Sequence, residues 1–238
     1  MKKIILITIM LLTTSIFASI ADDASADHNI LTPTAQTIKE GEMTFNSYEL
    51  FFAGMSYGIQ DNLQLTGTVL IPMFSNMPFV GLFTAKYQIM SDESSAFTIQ
   101  PGIFIMHYDG NSAGAISLSA IFDLYLNEDA TLTFSGVGYK PFASVDGEDS
   151  KLPDFYVITL TGAFNYRFHD FMKFIVELNV MGGGADGDFK MLSESTTVNY
   201  GIKFFNKDLS ALLSFLRPLN GDSTFLMGFP YVTFTAKF

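Results

Sequence analysis

Few side chains in this 238-residue sequence suit catalysis or metal binding. Cysteine is absent, and histidine occurs only at His28, His107 and His169. His107 is followed by Asp109 and Ser112, and a histidine, a serine and a carboxylate are the parts of a nucleophilic triad. A triad is defined by geometry, however, and His-Tyr-Asp-Gly-Asn-Ser is also ordinary loop composition. The segment therefore predicts a loop, with a lipid-modifying enzyme as the less favoured alternative.

The sequence predicts no metal site and no cofactor. His28 and His169 lack acidic or histidine companions at ligand spacing. The acidic clusters at 146–149 and 186–188 do not match an EF-hand calcium loop, because no glutamate stands at its last position. We interpret both clusters as solvated loop tips. The glycines at 182–184 precede no helical pattern, so they do not predict a phosphate-binding loop.

Charge and composition exclude two broad classes of protein. The chain has 24 acidic residues against 13 Lys and Arg, a formal net charge of -11. This balance opposes nucleic-acid binding, which needs clustered basic residues. Aromatic residues make up 15% and charged residues only 16%, the opposite of the composition of disordered chains.

The first residues predict an exported protein. Lys2 and Lys3 precede a short apolar run over 4–12, and small residues follow at 18–21, which is the pattern of a secretory signal peptide. A membrane-spanning helix needs about 20 apolar residues, so this run is too short to be an anchor. We predict a signal peptide over 1–21, with cleavage after Ala21 and Ala26 as the alternative position. The mature domain is then 22–238, without a transmembrane helix.

After the signal peptide, apolar and polar residues alternate. In 155–168 the apolar set includes Leu160 and Phe164, whereas Thr161 and Asn165 lie on the other face. A period of two over about ten residues predicts a strand with one apolar and one mixed face. The predicted strands are 43–59, 63–72, 78–90, 96–108, 114–126, 131–141, 155–168, 172–181, 193–205, 209–216 and 224–238.

The turns between these strands alternate in length. The short turns are 60–62, 91–95, 127–129, 169–171 and 206–208. The other set, mostly longer, is 74–77, 109–114, 142–153, 182–190 and 217–223. Short periplasmic turns that alternate with longer outer loops are typical of a transmembrane barrel. The fold class is therefore all-β: a single closed, antiparallel, up-and-down transmembrane β-barrel.

Bacterial single-chain barrels have an even number of strands, and the pattern above shows one strand too few. We place the missing strand at about 30–38, although Pro33 opposes it because proline is tolerated only at edges and strand starts. Twelve strands are expected, with ten as the fallback.

The last predicted strand alternates up to its final residue, Phe238. A closing strand that ends in Phe resembles the C-terminal signature of Gram-negative outer-membrane β-barrels. Residues 57–65, YGIQDNLQL, also resemble a strand-turn-strand segment of small porin-like barrels of this class. The resemblance implies a location in the outer membrane, contact with its lipid, and insertion by the barrel assembly machinery through the strand that ends at Phe238. Trp is absent, so Tyr and Phe must form the interfacial aromatic girdles.

Basic residues cluster on one part of the predicted inner face, near the short turns. If the apolar sets face lipid, the inward basic residues are Lys86, Arg167, Lys173, Lys203 and Lys237. Asp123 and Glu177 are the main acidic residues predicted on the same face. Towards the long loops the inner face is apolar, unlike the lumen of a water-filled porin. The apolar candidates are Leu70, Leu82, Phe104, Met106, Tyr139, Leu212, Met227, Phe229 and Tyr231.

Two interpretations of this lumen stay open. The lumen binds a small amphipathic anion, with its carboxylate on the basic ring and its tail in the apolar half. Alternatively, the barrel is closed by its own side chains, and the basic residues form a lattice with Asp123, Glu177 and Asp22, Asp23 or Asp27.

Three functions follow from these interpretations. A narrow outer-membrane channel or binding barrel for transport of small anionic or amphipathic solutes is favoured. A closed structural or adhesive barrel is the first alternative, and an enzyme that uses His107 is the second.

The turn at 169–171 places Arg167 opposite Lys173 on the next strand. Two like charges directly across a strand pair are unfavourable unless an anion lies between them. Lys173→Glu is therefore expected to lower any anion preference while changing barrel stability only modestly, because the new carboxylate can pair with Arg167.

Overall fold

The computed structural model describes residues 23–238 except for 50, 73, 75–76, 146–147, 150–154, 186–187 and 220–226. The predicted signal peptide and Asp22 lie outside the described residues. The strands are β1 (Met43–Tyr48), β2 (Phe52–Gln60), β3 (Leu63–Leu70), β4 (Phe79–Ser91), β5 (Ser95–Tyr108), β6 (Asn111–Tyr125), β7 (Ala130–Val145), β8 (Glu148–Asp149), β9 (Phe155–His169), β10 (Met172–Ala185), β11 (Asp188–Phe205), β12 (Leu209–Pro218) and β13 (Phe229–Lys237).

The sheet closes on itself. Strands that are neighbours in the chain pair antiparallel, β7 pairs with β9, and β1 pairs with β13. The two-residue β8 pairs only with the end of β7, so the other twelve strands form the barrel. Closure leaves no free sheet edge within the barrel. The predicted twelve-stranded, all-β, up-and-down barrel is confirmed.

Alternation along each strand sorts side chains between lipid and lumen. On β9, Leu160 and Phe164 are exposed on the outer face, whereas Thr161, Ala163 and Asn165 are buried on the inner face. Such an apolar exterior would be unfavourable in water and is typical of a surface that contacts hydrocarbon. In the part of the chain described here, no helix is long and apolar enough to cross a membrane.

The twelfth strand does not lie where the sequence pattern placed it. Residues 30–38 are not a strand; the segment before β1 contains only an isolated bridge between His28 and Pro33. Instead, the predicted strand 43–59 divides into β1 and β2 at Glu49, which has a φ of 53°. The Glu49 N–H donates to the carbonyl of Val232 at 2.9 Å, and its carboxylate accepts the Val232 N–H at 2.6 Å. This turn depends on a contact with β13, which local sequence does not reveal.

Two of the predicted long loops are shorter than expected. β5 and β6 meet at Asp109 and Gly110, which have φ values of 48° and 79°. Positive φ at both central residues is the geometry of a two-residue hairpin turn, so β6 begins at Asn111 rather than 114. Likewise β10 continues to Ala185 and β11 begins at Asp188. Below, the turn side is the end of the barrel that holds the 206–208 turn and Phe238, and the loop side is the other end.

Candidate functional site

Residues 23–42, here called the plug, run through the inside of the barrel and leave it at the exposed residues 39–41. Ala35 and Ile30 are buried among side chains of the barrel wall, and the Ala24 N–H donates to the carbonyl of Asn206 at 3.0 Å on the turn side. Buried backbone N–H and C=O groups must find partners. Many of those in the plug find them in polar side chains of the lumen rather than in a neighbouring strand.

Glu177 on β10 holds the middle of the plug. Its carboxylate accepts the backbone N–H groups of Ile30 at 2.7 Å, Leu31 at 3.1 Å and Thr32 at 3.2 Å. Asn199 on β11 donates its side-chain amide to the same carboxylate at 3.3 Å. Glu177 is 0% exposed, so these hydrogen bonds replace its hydration. Glu177 was predicted on the inner face; its role as a plug anchor was not predicted.

Ala35 is bound through both of its backbone groups. Its N–H donates to Asp123 of β6 at 2.9 Å, and Thr133 also donates to that carboxylate at 2.7 Å. Its carbonyl accepts from the Thr98 hydroxyl at 2.6 Å and from the Gln88 amide at 2.8 Å. The two acidic residues predicted in the lumen thus both accept hydrogen bonds from the plug backbone.

Two buried lysines bind plug carbonyls. The Lys203 ammonium donates to the carbonyls of Ser25 at 3.1 Å and His28 at 2.8 Å. The Lys86 ammonium donates to the carbonyls of Asp27 at 2.8 Å and Gln36 at 3.0 Å. Both side chains are almost fully buried, so the plug supplies the polar contacts that water would give them.

The predicted opposition of Arg167 and Lys173 is present, and Lys203 faces Lys173 from the other side. Asp23 of the plug supplies the required anion: its carboxylate lies 2.5 Å from the Lys173 ammonium and 3.4 Å from that of Lys203. Arg167 instead contacts Asp129 at 2.7 Å. Asp23 was among the partners that the lattice interpretation named, but Asp129 was not. Asp123 and Glu177 bind plug N–H groups rather than the basic ring.

Lys237 and the plug exit lie at the turn side. Lys237 contacts Glu42 at 2.8 Å, at the end of the plug. The N–H of Gly58 on β2 donates to the carbonyl of Glu42 at 3.0 Å, and its carbonyl accepts the Gly41 N–H at 2.9 Å. A Cβ at Gly58 would collide with the carbonyl of Lys39. Glycine at this position lets the plug leave the lumen along β2.

The two aspartates of the plug are held in their charged form. Burial alone would raise the pKa of Asp23, but Lys173 and Lys203 outweigh it and the pKa lies below its usual range. Burial would likewise raise the pKa of Asp27. His28 beside it, with Lys86 and a hydrogen bond from Gln64, lowers that pKa below the usual range instead.

A cavity lies on each side of the plug. The loop-side cavity has a volume of about 370 Å³ and is bordered by Tyr48, Leu82 and Tyr231, with Ile30 and Leu31 of the plug among its lining. The turn-side cavity has a volume of about 360 Å³ and is lined mainly by polar residues that include Lys173. The plug stands between the two, and Asp27 borders both.

The apolar inner-face candidates fall into three groups. Phe104, Met106 and Leu82 face each other across β4 and β5 on the loop side, where they remain partly exposed. Leu70, Tyr139, Phe229 and Tyr231 also lie on the inner face by strand register, whereas Met227 precedes β13 and its carbonyl accepts the Tyr200 hydroxyl at 2.7 Å. Their contact with a ligand stays a prediction.

Leu212 is not in the loop-side half, where the sequence placed it. It pairs with Lys203 and Thr233 and is buried against Ile30 and Ile175. It lies near the turn side because β12 begins only three positions earlier, at Leu209. Leu212 therefore packs against the plug rather than lining the loop-side cavity.

The histidines occupy three different environments. His107 pairs across the sheet with Phe79 on the outer face, and its Nδ1 lies 2.9 Å from the Ser112 hydroxyl. Within the described contacts, no carboxylate reaches this pair. His28 contacts Asp27 at 3.0 Å inside the plug, and His169 packs edge-on against Phe171. Among the described residues no cluster of three or more His, Cys, Asp or Glu could hold a metal ion.

Sequence reasoning missed the plug as an element. It named Asp23 and Asp27 as partners of the lysines, but it read 30–38 as a strand. One signal was available: five inward basic residues and two inward acids in a narrow lumen need buried partners, and the strands alone offer too few. Of the two acidic clusters, Asp146 and Asp186 lie outside the described residues.

No protein-family model and no curated protein sequence matches the chain. Among solved structures it is similar to the KdgM porin, with 13% identity and a TM-score of 0.47 over 82% of this chain and 96% of that one. It is also similar to the NanC porin, with 10% identity and a TM-score of 0.45 over 82% and 97%. A third similar structure is LpxR from Salmonella typhimurium, with 10% identity and a TM-score of 0.39 over 83% and 99%.

The chain has the fold of an outer-membrane β-barrel. Its closed twelve-stranded sheet and apolar exterior show this. Within this barrel, the plug and the two cavities beside it form the candidate functional site.

Proposed function

We propose that this protein is an outer-membrane channel or binding barrel for small solutes, and that the plug closes it. The observation that carries the proposal is the position of residues 23–38 inside the lumen, between a loop-side and a turn-side cavity. A solute that enters from either end meets the plug. Transport therefore needs the plug to move.

The way the plug is bound supports a movable rather than a permanent closure. Its apolar contacts are small: Ile30 packs on Ile175 and Leu212, and Ala35 packs on Ala96 and Ile121. Most of the contacts described are hydrogen bonds and ion pairs. Water can replace such contacts, and each contributes a limited net free energy: about 0.5–1.5 kcal/mol for a neutral hydrogen bond and about 1.5–3 kcal/mol where one partner is charged.

The wall behind the plug is also suited to water. Its inner face carries buried polar residues on β1, β12 and β13, among them Thr44, Asn46, Ser214, Thr233 and Thr235. A polar inner face is typical of barrels with a water-filled lumen. In a barrel that stays closed, apolar side chains at these positions would stabilise the fold more than polar ones do.

Release of the plug would leave the inward lysines without their plug partners. Lys86, Lys173 and Lys203 lose their carbonyl and carboxylate partners when residues 23–36 leave the lumen. Their charges would then face water and attract anions. The preference for small anionic solutes inferred from sequence thus belongs to the open state.

A conductance measurement tests the channel. We expect the mature protein to conduct little in planar bilayers and a variant lacking residues 23–36 to conduct at least about tenfold more, with a reversal potential that indicates anion preference. A synthetic peptide of residues 23–36 should block the variant, and a scrambled peptide of equal charge should not. If the folded deletion variant conducts no better than the mature protein, the closed structural barrel is the correct interpretation.

We expect the barrel to open only when the pH falls below about 4. The pKa values of Asp23 and Asp27 are lowered in the docked plug. Their ionised carboxylates therefore stabilise docking fully at any pH above the ordinary carboxyl pKa, about 4, and this stabilisation is lost as the pH falls below that value. We expect low conductance at pH 7 and pH 5 and higher conductance at pH 3. The double variant Asp23→Asn/Asp27→Asn should lose most of this rise. Opening already between pH 7 and pH 5 would contradict the assignment.

A further inference from the structure

We propose that the loop-side cavity binds a small, uncharged molecule with an apolar or aromatic body and one hydroxyl group. The inference rests on the proposed function and names the class of solute that the closed barrel holds. It differs from the anion preference expected of the open lumen, because the plug itself forms part of this site.

The size and walls of the cavity fit an apolar body. Its volume, about 370 Å³, lies within the range of small-molecule pockets. Tyr48, Phe52 and Tyr231 supply aromatic walls, and Leu82 supplies an aliphatic one. Leu31 of the plug also borders the cavity and is 51% exposed, although it lies inside the barrel.

Two residues that line this cavity, Gln100 and His28, each carry a buried polar atom that a small rotation of the side chain would turn towards a hydroxyl in the cavity. The Oε1 of Gln100 and the Nε2 of His28 are buried, and neither has a hydrogen-bond partner among the described residues. An unpaired buried polar atom is costly, and an amide oxygen accepts hydrogen bonds only. The Nδ1 of His28 faces the Asp27 carboxylate at 3.0 Å and so carries a proton. A hydroxyl can donate to Gln100, and it can either donate to or accept from His28.

The charges around the cavity disfavour an anion. The carboxylates of Asp27 and Glu49 border it. Lys86 also lines it, but this side chain is 3% exposed and its ammonium donates to the carbonyls of Asp27 and Gln36. A carboxylate ligand would therefore face two like charges, and the Lys86 ammonium is already bound to backbone carbonyls, whereas a neutral hydroxyl meets no such repulsion.

Three probes of matched size test this class: 4-ethylphenol, ethylbenzene and 4-ethylbenzoate. Equilibrium dialysis against the intact protein in lipid nanodiscs, with empty nanodiscs subtracted, measures binding without requiring conduction. We expect 4-ethylphenol to bind most tightly. Gln100→Leu should lower the affinity for 4-ethylphenol about tenfold, since a buried hydrogen bond is lost. The affinity for ethylbenzene should stay unchanged or rise. Gln60→Leu is the matched control, because Gln60 is exposed at the end of β2.

Leu82→Trp provides a second variant that fills the cavity and should abolish binding of both 4-ethylphenol and ethylbenzene. The proposal is overturned if 4-ethylbenzoate binds most tightly, or if folded Gln100→Leu and Leu82→Trp both leave 4-ethylphenol binding unchanged. Binding without conductance in the deletion variant would reject the channel but keep this site. Conductance without selective binding would reject the site alone.

Discussion

Replacing Glu177 by leucine releases the plug, and we expect the undocked fraction to rise about a hundredfold or more. The substitution removes the acceptor for the N–H groups of Ile30, Leu31 and Thr32 and leaves them buried without a partner. A hydrogen bond to a charged group contributes about 1.5–3 kcal/mol. Losing about 3 kcal/mol of docking free energy corresponds to a change of roughly a hundredfold.

Plug exposure can be measured directly because the chain has no cysteine. Ser25 is fully buried in the docked plug, and Ser25→Cys is nearly isosteric. The rate at which a maleimide labels this single thiol reports the undocked fraction. In that background Glu177→Leu should label about a hundredfold faster than the parent.

Two controls separate the anchor from a general disturbance. Glu177→Gln keeps one acceptor oxygen for the plug N–H groups, so its effect should be clearly smaller. Glu93→Leu makes the same change in an exposed turn that lines neither cavity and should leave labelling unchanged. Equal labelling of the leucine variant and the parent, with the barrel intact, would show that Glu177 does not hold the plug.

Lys173→Glu should have the second large effect. It removes the closer partner of Asp23 and sets a second carboxylate beside it, with both side chains mostly buried. Removing one partner of a buried ion pair costs about 3–5 kcal/mol. We expect Ser25→Cys labelling to rise by about a hundredfold to a few thousandfold. The barrel itself should stay folded, because Arg167 lies directly across from position 173 and can pair with the new carboxylate.

A double variant tests the cause. Asp23→Asn removes the repulsion, so Lys173→Glu/Asp23→Asn should label more slowly than Lys173→Glu alone. Lys207→Glu, in an exposed turn, is the matched control and should behave as the parent. If Lys173→Glu labels at the parent rate while the barrel stays folded, Lys173 does not stabilise the docked plug.

The strands, and the face of the barrel on which each side chain lies, were predictable from sequence because they depend on neighbours along the chain. Side chains alternate across every strand, so the pattern in 155–168 was enough to place Leu160 outside and Asn165 inside. The opposition of Arg167 and Lys173 followed from one short turn. The end of β1 did not follow, because the turn at Glu49 is stabilised by Val232, far away in sequence.

The alternating pattern by itself determined that this chain forms a closed barrel with an apolar exterior and a basic inner ring, since these features are local and periodic. Only the tertiary structure decided what fills the ring. The plug has no periodic pattern, and its position depends on contacts between Asp23 and Lys203 and between Ile30 and Glu177, which are separated by most of the chain. Such contacts arise only when the closed barrel brings its inner faces around one segment, because buried charges and backbone groups must then find partners there.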